Sequence, residues 1–308
     1  MTTKTTVKKA PARPSEMVSF YGGQVVIEKK PWGDHFRFFK VVGNEKISGI
    51  LSATSITKHL DKSQVLLPWA VGLVGSHIRA TIESSVGSSF SKEEIFLVVN
   101  EAVLKPEEAK TKGGTTGDFI HDFCHDFALS VINKTKTPSL PKMEGIEQEE
   151  KDKVMNGINA FLDWYNGRKV DFLQMETLVY YNSLIAGDTS AEEDVVEYLG
   201  IMDLLARVDG KVGVWDYKTG KRVYTDQRYQ LSGYRKAHNS QLTPKEKLFA
   251  VESGVLSFSK ETGELTVCKV STEESEKDFK AFKGLHAVAL RERELLEEYN
   301  QSKKDESK

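Results

Sequence analysis

Tyr198 to Gly220 reads YLGIMDLLARVDGKVGVWDYKTG, two largely apolar runs on either side of Asp209-Gly210. An Asp-Gly pair is a two-residue hairpin signal, because a type I′ turn needs positive φ at both central positions. Val208 then pairs with Lys211. Counting outward along an antiparallel ladder places Asp203 opposite Asp216, with both side chains on one face. Longer loops centred on the same two residues keep this register. Directly opposed Cβ atoms lie about 5 Å apart, and like charges there are destabilising. A sheet flanked by Leu204, Leu205, Val214 and Trp215 would hold two such carboxylates only with compensation. A divalent cation supplies it, since hard cations such as Mg²⁺ take carboxylate oxygens and water. Lys218, two residues past Asp216, points to the same face. The hairpin therefore predicts two acids and a lysine converging on a metal. On spacing alone, a plain solvent-facing ion pair of Asp203 with Lys218 remains the alternative.

Outward from the hairpin, residues 170–181 read as a preceding strand, 226–239 as a helix, and 247–258 and 264–270 as further strands. A charged helix closes the chain from about Glu274 to Asn300, and residues 301–308 are expected to fray as a tail. Toward the N-terminus, residues 17–42 mix aromatic and β-branched residues with Gly and Pro, as short strands or an irregular lead-in. From Ser52 to about Leu104 the pattern is helical. Gly113-Gly114-Thr115-Thr116-Gly117 reads as a flexible loop opening a helix to about Ile132, and the acidic run Glu144 to Asp152 leads into a helix ending near Tyr165. The expected architecture is α/β: a central mixed sheet flanked by helices, with an N-terminal helical region. The expected division is a disordered basic tail (1–16), a mostly helical part (17–165) and an α/β core (166–300) within one domain.

The 308 residues are 39% hydrophobic and 29% charged, enough for a sizeable core in a soluble chain. No apolar run approaches the roughly 20 residues of a membrane span, so no membrane partner is expected. Residues 2–13 carry Lys4, Lys8, Lys9 and Arg13 without an acid, in a Thr- and Pro-rich stretch that lacks an apolar signal segment. Cys124 and Cys268 are too few for a four-cysteine iron–sulfur cluster or a disulfide framework, and they suit a reducing cytoplasm. With a net charge of −2, nucleic-acid binding must come from a local basic patch.

Gly200-Ile201-Met202-Asp203, then Asp216-Tyr217-Lys218, then Gln230-Leu231-Ser232-Gly233-Tyr234 resemble the motifs of the PD-(D/E)xK nuclease superfamily, closest to its RecB-type and phage exonuclease-like branch. The Gly-rich segment followed by Asp118-Phe119-Ile120-His121 is similar to that branch's upstream histidine element. Glu176 in LQMETLVYY occupies the place of a further acidic residue on the preceding strand. The stretch from Leu51 to Ala70 resembles the opening helices. The resemblance spans residues 50–290, and its motifs carry weight through their order more than singly. It implies a restriction-endonuclease-like core in which His121, Asp203, Asp216 and the Tyr217 carbonyl hold Mg²⁺ or Mn²⁺. It implies that Lys218 positions or activates the attacking water, and that Glu176 lies at the catalytic site. Gln230 and Tyr234, four apart on one helix face, would support the site and contact DNA. A phosphodiester resists attack because it is anionic, and a cation with a lysine offsets that charge.

Lys218, Lys221, Arg222, Arg228, Arg235 and Lys236 crowd the stretch from 216 to 236 and are the expected phosphate contacts. His125, one turn after His121, reads as an exposed or packing histidine; the Glu that a two-histidine zinc motif requires after His121 is absent. Phe119, Phe123 and Phe127 read as core, Asp188 as solvated and Asp209 as turn chemistry. Lys218-Thr219-Gly220-Lys221 lacks the rest of a phosphate loop. The leading expectation is a metal-dependent DNA exonuclease of phage-type recombination, repair or DNA degradation. It would work in the cytoplasm, a host's if phage-encoded, and possible partners include a single-strand annealing protein. A structure-specific or single-strand endonuclease and a non-catalytic DNA-binding scaffold are the alternatives.

Overall fold

The computed structural model describes residues 14–33, 35–85, 87, 89–188, 194–220 and 222–306. The hairpin forms as its turn residues require. Asp209 and Gly210 have φ of 50° and 90°, and strands β7 (Glu197–Val208) and β8 (Lys211–Lys218) pair from Val208↔Lys211 to Leu204↔Trp215. On the far side of β7 lies β6 (Val170–Asn182), antiparallel. On the far side of β8 lies β9 (Glu252–Phe258), parallel, followed by antiparallel β10 (Leu265–Val270). The two-residue β5 (Leu51–Ser52) runs parallel to β7 at Tyr198 and Leu199, taking the flank that β8 has left. The sheet is mixed, as expected.

Both faces of this sheet are covered. Alternation sends Trp215 and Tyr217 toward α3 (Lys92–Asn133) and α4 (Gln148–Asn166), where they join Phe123, Phe127, Phe161 and Trp164. Val212 and Val214 point the other way, toward α5 (Thr225–Asn239) and α6 (Thr272–Glu306), with Leu231, Phe279 and Phe282. The short α1 (Ala53–Thr57) adds Ile56 to that side. Cys124 is buried and Cys268 half-buried, both as free thiols.

Four features differ from the sequence expectation or extend it. The short strands expected over 17–42 form and go further, as one sheet: β1 (Glu16–Phe20), β2 (Val25–Trp32), β3 (His35–Val42) and β4 (Glu45–Ile47) pair antiparallel. Phe20, Val25 and Ile27 of that sheet bury themselves against Leu178 and Tyr180 of β6. The basic tail lies mostly outside the described residues.

The second difference is at Gly113 to Gly117, which is no loop but lies inside α3. Interior glycines cost about 1 kcal/mol each relative to alanine, and tertiary contacts offset them: Lys260 Nζ donates to the Gly113 carbonyl (2.8 Å), and Thr116 Oγ1 to Glu150 (2.7 Å). Third, α6 continues through 301–306, where Gln301 Nε2 donates to Asp305 one turn on (3.2 Å). Fourth, α2 (Ser63–Ser84) is long and apolar enough, by length and composition, to cross a bilayer. Counting uninterrupted apolar residues missed it because Ser76, His77 and Arg79 interrupt the run without making the window polar.

Because Gly210 needs φ of 90°, Gly210→Val should lower unfolding stability by about 1–2 kcal/mol, the cost of a left-handed residue with a Cβ, measured by denaturant titration.

Candidate active site

The β7–β8 ladder stops one step short of Asp203 and Asp216. There the strands part. The Tyr217 N–H donates to Asp203 Oδ2 (3.1 Å), and the Asp203 and Asp216 carboxyl groups meet side chain to side chain. The convergence expected from the turn is thus realised, with a side-chain contact where the backbone ladder has ended. Lys218 Nζ contacts Asp216 Oδ2 from two residues along the strand. From the opposite layer, α3 brings His121 Nε2 to 3.5 Å from Asp203 Oδ2, and its ring stands edge-on to Tyr217.

The electrostatics follow from this crowding. Burial pushes the Asp216 carboxyl above the usual carboxylate range; Lys218 opposes that shift and Asp203 adds to it. Burial would also raise Asp203, but His121, Lys218 and the Tyr217 N–H outweigh it and hold that carboxyl low. His121 is raised by its contact with Asp203, and Lys218 is raised by the two acids against its own desolvation. One carboxyl favours its proton and the other its charge, the signature of two acids sharing one space.

Two glycines make the approach possible. A Cβ on Gly117 would lie 2.9 Å from Thr219 Oγ1, so only a bare backbone lets α3 reach the end of β8. A Cβ on Gly200 would lie 2.4 Å from the Tyr234 ring. Tyr234 is buried, and the charges of Asp203 and Asp216 raise its pKa after burial does. Gln230 Nε2 donates to Tyr234 Oη (2.9 Å) and to Thr54 Oγ1 of α1 (2.7 Å). Thr54 is a residue that sequence reasoning missed. It lies within the segment resembling the family's opening helices, but a contact across 176 positions leaves no spacing signal.

Glu176 falls in step opposite Asp203, between Met175↔Leu204 and Thr177↔Met202, with φ of 41°. A left-handed non-glycine residue inside a strand is strained. Its carboxylate is partly exposed and lies 3.7 Å from His125 Nε2, so His125 borders the site as well as packing.

Three cations of the basic stretch have partners within the fold. Arg228 donates from Nε to Asp278 Oδ2 of α6 (3.0 Å), Arg235 is buried on the Ala250 carbonyl and Thr272, and Lys236 pairs with Asp188 (2.9 Å). The α5 period turns these cations to α6 and the loop before β7, away from the acids. Asp188 is exposed, as expected, and also pairs with Lys236 and accepts from the Tyr181 hydroxyl (2.8 Å). Arg222 is exposed, over the Tyr224 ring; Lys221 lies outside the described residues.

The donor set fits a hard divalent cation. Among the described residues, no group of three or more Asp, Glu, His or Cys side chains is gathered closely enough to hold a metal ion. Mg²⁺ needs none, since it binds through one or two carboxylates and keeps several waters. The repulsion between the Asp203 and Asp216 carboxyl groups is the feature a cation would relieve.

Because the fold raises the Asp216 pKa, its ionised form is disfavoured. That penalty is absent near pH 4 and grows as pH rises toward the folded value. Asp216→Asn should therefore leave metal-free stability unchanged near pH 4 and raise it at pH 8 by on the order of 2 kcal/mol, measured by thermal unfolding in chelator. Arg228→Ala should cost about 1 kcal/mol of stability and leave affinity for a DNA oligonucleotide unchanged in anisotropy titrations.

No curated protein matches the chain. A family model does, over residues 96–305, a span that runs from α3 to α6 and contains His121, the acid pair, Lys218 and the Gln230–Tyr234 helix; its description is PD-(D/E)XK nuclease superfamily. By the extent of that match, the chain belongs to the PD-(D/E)XK nuclease superfamily.

Proposed function

We propose that the chain is a Mg²⁺- or Mn²⁺-dependent deoxyribonuclease that degrades DNA from its ends, in recombination, repair or DNA breakdown of the phage type. The observation that carries the reading is the buried Asp203–Asp216 pair with Lys218 on it and His121 against it. Asp203, Asp216, the Tyr217 carbonyl and His121 would hold the cation. When bound, it supplies charge stabilisation to a phosphodiester and acidifies a water.

The chain's own residues do the rest. Lys218, kept cationic by the acids, stands where it can orient the attacking water and offset charge on the phosphorus centre. Gln230, Tyr234 and Thr54 form a hydrogen-bonded wall that fixes α5 and α1 against the acids. Glu176, in register opposite Asp203, would take a second position at the same site.

End-directed action rests on the likeness of the motifs to the phage exonuclease-like branch. Arg228, Arg235 and Lys236 are engaged within the fold, which suits a substrate held by the metal and by the walls more than by a broad basic face.

Linear DNA should be digested only with Mg²⁺ or Mn²⁺, and closed circular DNA spared. Asp216→Ala or Lys218→Ala should lower kcat by about 100-fold or more, the scale of losing a charge-stabilising group. End-labelled linear and circular substrates with and without chelator decide this. Cutting of closed circles would favour an endonuclease, and full activity in both variants would remove the assignment.

A further inference from the structure

Outside the site, the least satisfied part of the molecule is the helical hairpin of α2 and the first half of α3. None of the 22 residues of α2 is buried, and its packing partner is α3. Leu67 (65% exposed), Val71 (63%), Phe96 (57%) and Leu97 (60%) stand in solvent. A lone helix pair gains little stability in water without a further layer on its apolar faces.

The pattern along the hairpin indicates what that layer is. Residues 63–76 of α2 contain no ionisable side chain, while Ile95 to Val99 of α3 form an unbroken apolar run. The helices are antiparallel, with His77 Nε2 at 3.7 Å from Glu101. That register puts the uncharged start of α2 beside Glu107, Glu108 and Lys110 at the base of the hairpin. It puts Ile95 to Val99 beside the last turns of α2, near the tip. At 1.5 Å rise per residue the centres of the two apolar segments lie about 17 Å apart along the hairpin, so the two do not stack side by side within one chain.

We propose that this hairpin is a self-association surface, pairing antiparallel with the same hairpin of a second copy. Turning a copy end over end about a two-fold axis sets the apolar base of each hairpin on the apolar tip of the other. This gives two identical contacts, the self-complementarity an isologous dimer needs, and a four-helix layer. A face about 33 Å long and about 20 Å wide presents roughly 700 Å², close to the ~800 Å² per partner of a stable interface. On the outer side of α2 a Cβ on Gly72 or Gly75 would meet nothing within 4 Å, which leaves room for close approach of another helix. A bilayer fits this pattern less well, because α2 carries Arg79 and Glu83 and its companion carries Glu101, Glu107 and Glu108 alongside. Nucleic acid is disfavoured by the absence of cations over residues 63–76.

Analytical ultracentrifugation of the full chain should give twice the 34.6 kDa chain mass. A Leu67→Glu, Phe96→Glu double variant should sediment as a monomer with unchanged far-UV circular dichroism. In a Cys268→Ser background, Leu67→Cys chains mixed with differently tagged Phe96→Cys chains should form disulfides between unlike chains and none between like chains. A monomeric wild type, a dimer that survives the double variant, cross-links only between like chains, or a monomer that co-sediments with phosphatidylcholine–phosphatidylglycerol vesicles would each overturn the proposal.

Discussion

The contact between the Asp203 and Asp216 carboxyl groups is the constraint on which the rest of the site depends. Two acids in one desolvated space repel, and the surroundings answer that repulsion in three ways. The β7–β8 ladder ends just before them, freeing the Tyr217 N–H for Asp203. Lys218 places an ammonium on Asp216. One acid is driven toward its protonated form while the other stays charged. Such an arrangement lowers the stability of the fold whenever both acids are ionised.

Holding that arrangement takes helices from both faces of the sheet at unusually short range. Gly117 lets α3 come down on Thr219 and so brings His121 to Asp203. Gly200 lets the Tyr234 ring lie across β7, and Gln230 then ties α5 to Thr54 of α1. The aromatic packing of Phe161, Tyr217 and Phe258 beneath the strand fixes the backbone from which Asp216 and Lys218 project. The parting of β7 from β8 has a second consequence: β5 pairs with β7 at Tyr198 and Leu199, on the edge vacated by β8, and delivers α1 to the site.

The cations of α5 divide the molecule's electrostatics. Arg228, Arg235 and Lys236 anchor α5 to α6 and to Asp188, so the charge that looks like a phosphate track in one dimension holds two helices together in three. The net charge of −2 is consistent with a chain that grips its substrate locally.

How much of this was legible beforehand follows from the range of each interaction. The Asp209-Gly210 turn and the alternation around it determined the hairpin, the register and the meeting of Asp203, Asp216 and Lys218, because turn geometry and a period of two act over a few residues. The order of motifs determined the family. Tertiary structure alone decided that Gly113 to Gly117 is helical, since the compensating contacts come from Lys260 and Glu150, and that β1 to β4 form a sheet against β6. It also decided which cations are already paired and that Thr54 joins the site. Those outcomes depend on side chains brought together across many positions of chain, where no local period carries the information.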